Sequence, residues 1–270
     1  MKNTLLFIFI ALTISVYAEH KILLYYEQTN NGYIVYADNE EFCPCSVKVD
    51  FVLNNLESST GNNKVFILPA KSKKNLIAEL KVIDKKKGYK FSSNSQTNYG
   101  DDSKNNYDQD FEYYLPFKKN VSYLVWQGYN GAFSHQNINA LDFTMPIGTE
   151  IHAARDGIVV KVIQNNNKSC KQKDCAQYNN YILIYHNDGT FTEYTHIKKN
   201  GSRVKEGDAV QIGQLIGYSG NIGWSSGPHL HFAVFLQKLN KRETIKTRFL
   251  VGNGEQSELL DAMKEYKKEY

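Results

Sequence analysis

The sequence predicts an all-β fold in two β-rich parts, closed by a short C-terminal helical tail. Three observations predict it. Apolar residues recur in short runs separated by Gly-, Asn- and Ser-containing turns, with no sustained helical period before the tail. Several runs alternate apolar and polar side chains, the period-two pattern of a strand with one buried face. The chain is also rich in aromatics, with 19 tyrosines and 14 phenylalanines, side chains that suit a pleated, half-buried surface.

Taken in order, residues 1–18 stand apart. Lys2, the apolar run from Leu5 to Val16, and Val16-Tyr17-Ala18 read as a secretory signal peptide. The run is too short for a stable bilayer anchor, so export to a periplasm or to the medium is expected, without stable membrane insertion. The 270 residues carry 32 Lys and Arg against 28 Asp and Glu, a net charge of +4. With no basic stripe interleaved with aromatics, no nucleic-acid partner is expected, and a monomer is expected.

Residues 19–95 read as a small β-sandwich-like accessory module. Ile22-Leu-Leu-Tyr-Tyr, Gly32-Tyr-Ile-Val-Tyr-Ala, Ser46-Val-Lys-Val-Asp-Phe-Val-Leu, Lys64-Val-Phe-Ile-Leu and Asn75-Leu-Ile-Ala-Glu-Leu-Lys-Val-Ile are its strands, punctuated by Asn30-Asn31-Gly32 and by Ser58 to Asn63. It has no histidine beyond His20, which is expected to be mobile, and no chemistry is expected in it. The polar stretch from Ser92 to Asp110 reads as a linker, placed at residues 96–112.

A second β-rich domain is expected over residues 113–250. Its strands are Tyr123-Leu-Val-Trp-Gln, Ala140-Leu-Asp-Phe-Thr-Met, Ile158-Val-Val-Lys-Val-Ile, and a hairpin of Tyr181-Ile-Leu-Ile-Tyr-His and Phe191-Thr-Glu-Tyr-Thr-His across Asn187-Asp188-Gly189. In His229-Leu-His-Phe-Ala-Val-Phe-Leu236, a strand puts His229, His231 and Ala233 on one face and Leu230, Phe232, Val234 and Leu236 on the buried other. Residues 251–270 form the tail, whose Glu-, Lys- and Leu-rich Ser257–Tyr270 stretch is expected to be an exposed helix. Of the four cysteines, Cys170 and Cys175 sit in a polar loop and are expected to bond to each other in an exported protein. Cys43-Pro-Cys45 is awkward for a mutual bridge and reads as a strained pair or as free thiols. Zinc ligation by the four cysteines is the rival reading, and the single-residue gap of Cys43-Pro-Cys45 falls outside the two-to-four-residue spacing of structural zinc sites.

Chemistry concentrates in three separated places: His135 with Asp142, then His196, then His229 and His231. Asp142 lies between Leu141 and Phe143, where an unpartnered carboxylate carries a heavy desolvation cost. Two imidazoles and a carboxylate form a set suited to zinc, with a fourth position for water. The remaining histidines would orient that water, carry its proton and stabilise charge on a substrate carbonyl. His152 and His186 read as structural, with a role behind the metal ligands as the alternative for His186.

Ser134-His135…Ala140-Leu-Asp142-Phe143, Gly148-Thr149…Ala153-Ala154-Arg155-Asp156-Gly157, Tyr194-x-His196, Val204-x-x-Gly207-Asp208 and Ser226-Gly-Pro-His229-Leu-His231-Phe232 resemble the LytM/lysostaphin-type zinc endopeptidases, peptidase family M23. The likeness runs from about Leu115 to Leu236. It implies one zinc ion held by His135, Asp142 and His231, with His196 and His229 as catalytic histidines and Tyr129 helping to stabilise the intermediate. The gap from His135 to Asp142 is longer than in the best-known members. The resemblance further implies an antiparallel sheet walling a shallow groove, and hydrolysis of peptide bonds in peptidoglycan or in glycine-rich peptides. The alternative is a catalytically inactive relative that regulates another wall hydrolase, or a wall-binding module.

Overall fold

The runs of alternating residues become strands whose apolar faces form two separate cores. A computed structural model describes residues 20–270, so the signal peptide expected over residues 1–18 lies outside the described residues. Contacts divide the chain into two units. One runs up to Ser103 and includes Lys238–Lys241; the other comprises Lys104–Gln237 and Arg242–Tyr270.

In the first unit, Ile22–Thr29, Gly32–Asn39, Asn75–Val82 and Leu56–Ser58 form one antiparallel sheet in that order. Val65–Leu68, Cys45–Asn54 and Lys90–Tyr99 form another. Val35, Ala37, Val47, Val49, Ile77 and Leu80 belong to one buried core, each large aliphatic contributing about 1.5–3 kcal/mol by leaving water. Asn30 and Asn31 make the two-residue reversal between the first strands, and Gly32 follows at φ 130. A Cβ there would lie 1.8 Å from the Leu80 carbonyl oxygen, so the close approach of two strands admits only glycine.

Two expectations change in this unit. The polar stretch read as linker from Ser92 begins as a strand, since Lys90–Tyr99 pairs along its whole length with Cys45–Asn54. As an edge strand it is largely exposed, and exposed strands carry Ser, Asn and Gln without an alternating apolar face. His20 is buried rather than mobile, its ring edge-on to Tyr99 at 4.3 Å. Cys43 and Cys45 are free and fully buried; Cys45 pairs with both Leu68 and Tyr99 inside the second sheet.

The second unit is built on a nine-stranded antiparallel sheet. From edge to edge it runs Ala209–Val210, Gly157–Ile163, Tyr181–Tyr185, Thr190–Thr195, Leu230–Gln237, Ala140–Phe143, Val121–Gln127 and Lys264–Lys268, with Arg242–Ile245 also on Leu230–Gln237. Glu150–His152, Leu215–Ser219 and Ile197–Ser202 form a smaller sheet. Leu230, Phe232, Val234 and Leu236 all enter one core with Phe117, Phe143 and Tyr194, as the period-two reading requires. The hairpin forms across Asn187-Asp188-Gly189, where Asp188 Oδ1 accepts from the Thr190 amide and hydroxyl.

The expected helical tail is not formed. Gln256–Leu259 pairs with Arg248–Val251, and Lys264–Lys268 pairs with Val121–Gln127 as an edge of the large sheet. Composition favoured a helix, but the burial alternates: Tyr266 and Lys268 point inward and their neighbours outward. Tyr266 is 3% exposed and joins the core, and Lys268 Nζ donates to the Leu115 carbonyl. Pairing with an open sheet edge outweighs a helix propensity of a few tenths of a kcal/mol per residue.

His186 is a structural histidine, as read. It is fully buried on the core side of the hairpin, with Nδ1 donating to the Asp156 carbonyl at 2.6 Å and Nε2 accepting from Thr192 Oγ1 at 2.6 Å. Burial lowers its pKa to about 4, below the unfolded value near 6.5. The neutral ring is therefore favoured in the fold, and no penalty exists above pH 6.5. As pH falls from 6.5 to about 4, the unfolded chain takes up a proton that the folded chain refuses, and stability is lost. The expected loss is about 3 kcal/mol. Urea unfolding of wild type and His186→Gln at pH 7 and pH 4.5 checks it: the advantage of wild type shrinks at the lower pH, whereas a constant difference contradicts this reading.

Candidate metal centre

Four neighbouring strands place one polar row across the face of the large sheet opposite the Leu230–Leu236 core face. Gln127 pairs with Asp142, Asp142 with His231, and His231 with Thr195. Residues far apart in sequence thus stand side by side, because paired residues of adjacent strands point to the same face. His196 follows Thr195 directly, at φ 68, a left-handed turn uncommon for residues other than glycine. That turn carries its ring away from the strand's alternation and toward His229.

His135 comes from the loop between Val121–Gln127 and Ala140–Phe143. The Gln127 side chain organises this loop. Its Oε1 accepts from the Phe133 and Ser134 amides at 3.1 and 3.0 Å, and its Nε2 donates to Ser134 Oγ at 2.8 Å and to Asp142 Oδ2 at 2.9 Å. A Cβ on Gly131 would lie 2.4 Å from Gln127 Cγ, so the loop closes over Gln127 only with glycine there. His135 Nδ1 lies 3.0 Å from the Gly128 carbonyl oxygen. That acceptor assigns the proton to Nδ1 and leaves Nε2 as a lone-pair donor.

His135, Asp142 and His231 come together. His135 Nε2 is 3.3 Å from Asp142 Oδ1 and 3.2 Å from His231 Nδ1, and His231 Nδ1 is 2.9 Å from Asp142 Oδ1. Among the described residues, these three form the group of His, Cys, Asp or Glu side chains compact enough to hold a metal ion. His135 and Asp142 are buried, while the His229 and His231 side chains keep 18% and 23% exposure, so the cluster opens on their side. Burial works to raise the Asp142 carboxyl, but hydrogen bonds and charge from His135 and His231 outweigh it and hold it well below the usual carboxylate range. For His231, burial pulls down and Asp142 pulls up more strongly, so its pKa is raised.

His196 and His229 lie beside the cluster, their rings tilted at 52° with centroids 4.4 Å apart. Each turns Nδ1 to a backbone carbonyl, Ile222 at 2.7 Å and Gly227 at 2.8 Å respectively. Both rings are therefore assigned the Nδ1–H tautomer, with Nε2 free to accept a proton. Burial, helped by the charges of His229 and His231, lowers the His196 pKa to about 3, and burial lowers that of His229 despite Asp142. His229 Nε2 is 3.8 Å from Asp142 Oδ1. All five side chains line one pocket, flanked by Trp126 and Phe133 on the Gln127 side and by Lys171 and Trp224 on the His196 side.

Tyr129 is not brought to this pocket. Its hydroxyl donates to the Thr247 carbonyl at 2.9 Å, and burial raises its pKa to about 12. His152 also stays apart, bound to Gly213 and Glu150. His186 contacts Thr192, which faces the core, and does not touch the ligand cluster. Two residues were missed in the sequence. Gln127 holds both Asp142 and the His135 loop. Glu193 lines the pocket on the Thr195 strand, with Oε2 taking Arg242 at 2.7 Å and Oε1 accepting from Thr195 at 2.9 Å. A polar residue at the end of an apolar strand was the available signal for Gln127, and the shared parity with Thr195 was the signal for Glu193.

Residues 136–243 match the model of peptidase family M23. The match takes in Asp142, His196, His229 and His231 and starts one residue after His135. An uncharacterized metalloprotease of Buchnera aphidicola subsp. Baizongia pistaciae is 43% identical over 115 residues, 42% of this chain and 27% of its own length. The peptidoglycan DD-endopeptidase ShyA of Vibrio cholerae is 37% identical over 99 residues, 37% of this chain and 20% of its own length. The glycyl-glycine endopeptidase ALE-1 of Staphylococcus capitis is 36% identical over 118 residues, 43% of this chain and 28% of its own length. The chain therefore spans no more than 28% of any of these three relatives. Residues 136–243 of this chain, which supply Asp142, His196, His229 and His231, are matched as a peptidase family M23 domain.

Proposed function

We propose that this protein is a zinc-dependent endopeptidase that hydrolyses peptide bonds of peptidoglycan outside the cytoplasm, exported by residues 1–18. One observation carries the reading: three ligand atoms from His135, Asp142 and His231 converge within 3.3 Å of one another, beside two neutral imidazoles that face the same pocket. The donor set fits zinc. Ligands of a tetrahedral ion at about 2.0–2.1 Å stand about 3.3 Å apart, close to the 2.9–3.3 Å edges of this triangle. Three protein ligands from one side leave a position for water and substrate, as catalytic rather than structural sites do. ShyA is named a peptidoglycan DD-endopeptidase and ALE-1 a glycyl-glycine endopeptidase, and these names support peptide bonds as the substrate, with peptidoglycan as their source.

When bound, zinc supplies a Lewis acid for the scissile carbonyl and acidifies water. The chain's own residues supply the rest. Gln127 fixes the Asp142 carboxylate, and the Gly128 carbonyl fixes the His135 ring. His229 and His196 present Nε2 toward the reacting atoms. The pair takes up the proton as water oxygen bonds to the carbonyl carbon. It returns the proton to the amide nitrogen as the C–N bond breaks, leaving a carboxylic acid and an amine, and transfer of the acid's proton to the amine gives carboxylate and ammonium.

Purified wild-type protein incubated with bacterial walls tests this. One zinc per chain, release of new free amines, loss of release on removing zinc with a chelator, and its return on adding zinc are expected. Release that survives in the metal-free protein, or no release from walls with either D-Ala-linked or glycine cross-bridges, overturns the proposal. The masses of the released fragments identify the bond.

A further inference from the structure

The Cys170–Cys175 loop contributes no ligand to the cluster and no proton to the chemistry above. It is nevertheless tied to both histidines that do. The two cysteines are bonded, with Cα atoms 5.8 Å apart, around the start of a short 3-10 helix over Lys173–Tyr178. Ser169 and Cys170 make a two-residue parallel pairing with Gly223 and Trp224. Around it, the Gly223 amide donates to the Lys168 carbonyl at 2.8 Å, the Ser225 amide to the Cys170 carbonyl at 3.1 Å, and Trp224 Nε1 to the Lys171 carbonyl at 3.0 Å. The Trp224 amide donates to Asn179 Oδ1 at 3.0 Å, just past the helix.

Residues 222–225, held in this way, are the ones that hold the imidazoles. The Ile222 carbonyl accepts the His196 Nδ1 proton at 2.7 Å. Ser225 Oγ stands 3.2 Å from His229 Nδ1 and donates to the Gly227 carbonyl, which accepts from that same Nδ1. A two-residue pairing has little stability alone, so its register depends on a loop that keeps the Lys168, Cys170 and Lys171 carbonyls in place. Closing the loop covalently removes the alternative conformations in which those carbonyls turn away.

We propose that the Cys170–Cys175 disulfide is a positioning element for the reaction: it fixes residues 222–225, and through Ile222 and Ser225 it fixes the Nδ1 side of His196 and His229. The inference rests on the hydrolytic reading above. It makes the enzyme's activity dependent on an oxidised loop, while metal binding, carried by other strands, is independent of it.

The test uses the full protein in oxidised form and after treatment with dithiothreitol. The reagent passes two electrons and two protons to the S–S bond, yielding two thiols, and itself becomes a cyclic disulfide; it is then removed without oxygen. Displacing a catalytic group by about 1 Å costs up to about a hundredfold, so kcat on a wall fragment is expected to fall at least about tenfold while zinc per chain stays the same. In the metal-free protein, the His196 Nδ1–H resonance, sharp and slow to exchange when oxidised, is expected to broaden on reduction. Cys170→Ala/Cys175→Ala should copy both effects and ignore dithiothreitol. An unchanged kcat with an unchanged resonance overturns the proposal, and so does loss of activity through loss of zinc. Were the oxidised protein to cleave no wall peptide, the hydrolytic reading would fall, while the resonance would still decide whether the disulfide positions His196.

Discussion

Asp142→Ala is expected to lose together the zinc binding and the peptidoglycan hydrolysis proposed above. Asp142 is the centre of the polar row: Oδ1 is within 3.3 Å of both His135 Nε2 and His231 Nδ1, and Oδ2 accepts from Gln127. Replacing it removes one of three donors and the only negative charge among them. The loss of affinity should exceed the 10- to 100-fold that altering a residue behind a metal ligand typically costs. Gln127→Leu supplies that smaller figure in the same protein, because it leaves all three donors but frees the carboxylate and the His135 loop. Zinc titration of the two metal-free variants, read beside hydrolysis, checks both. An Asp142→Ala protein that holds one zinc at wild-type affinity would remove Asp142 from the ligand set. The fold should survive, since the row lies on the pocket face and the core is built by the opposite one.

His229→Ala and His196→Ala are expected to separate chemistry from metal. Both rings are tied to carbonyls through Nδ1 and carry a free Nε2, and neither belongs to the compact ligand group. Each substitution should lower kcat about 10²–10⁴-fold, the usual worth of a positioned acid–base group, or roughly 3–5 kcal/mol in the barrier, with zinc per chain unchanged. The double variant should lose little more than the worse single one, because two residues that move one proton act as a unit. Wild-type turnover in either single variant would show that its imidazole takes no part. Additive losses would show two separate roles.

Much of this was legible in the sequence because it is local. The alternation through His229 to Leu236 separates an imidazole face from a core face, and Leu230, Phe232, Val234 and Leu236 are indeed buried together. The hairpin across Asn187-Asp188-Gly189 and the Cys170–Cys175 bond follow from neighbours in the chain. The Ser257–Tyr270 tail misled for the converse reason. Its Glu and Lys content speaks for a helix, while the open edge of Val121–Gln127, more than a hundred residues earlier, makes it a strand. Tyr129 sits near His135 in sequence, yet its hydroxyl is claimed by Thr247, 118 residues away.

By itself, then, the sequence determined which side chains share a face, since a strand's period of two is a property of its own backbone. It also determined which residue types were on hand to bind a metal. The tertiary structure alone decided which faces meet. Asp142 and His231 touch across 89 positions of chain, and Gln127 and Glu193 acquire their places only through strand order. The physical reason is that strand pairing is a non-local contact, set by the burial of whole apolar faces and by the closing of sheet edges rather than by any short stretch of residues.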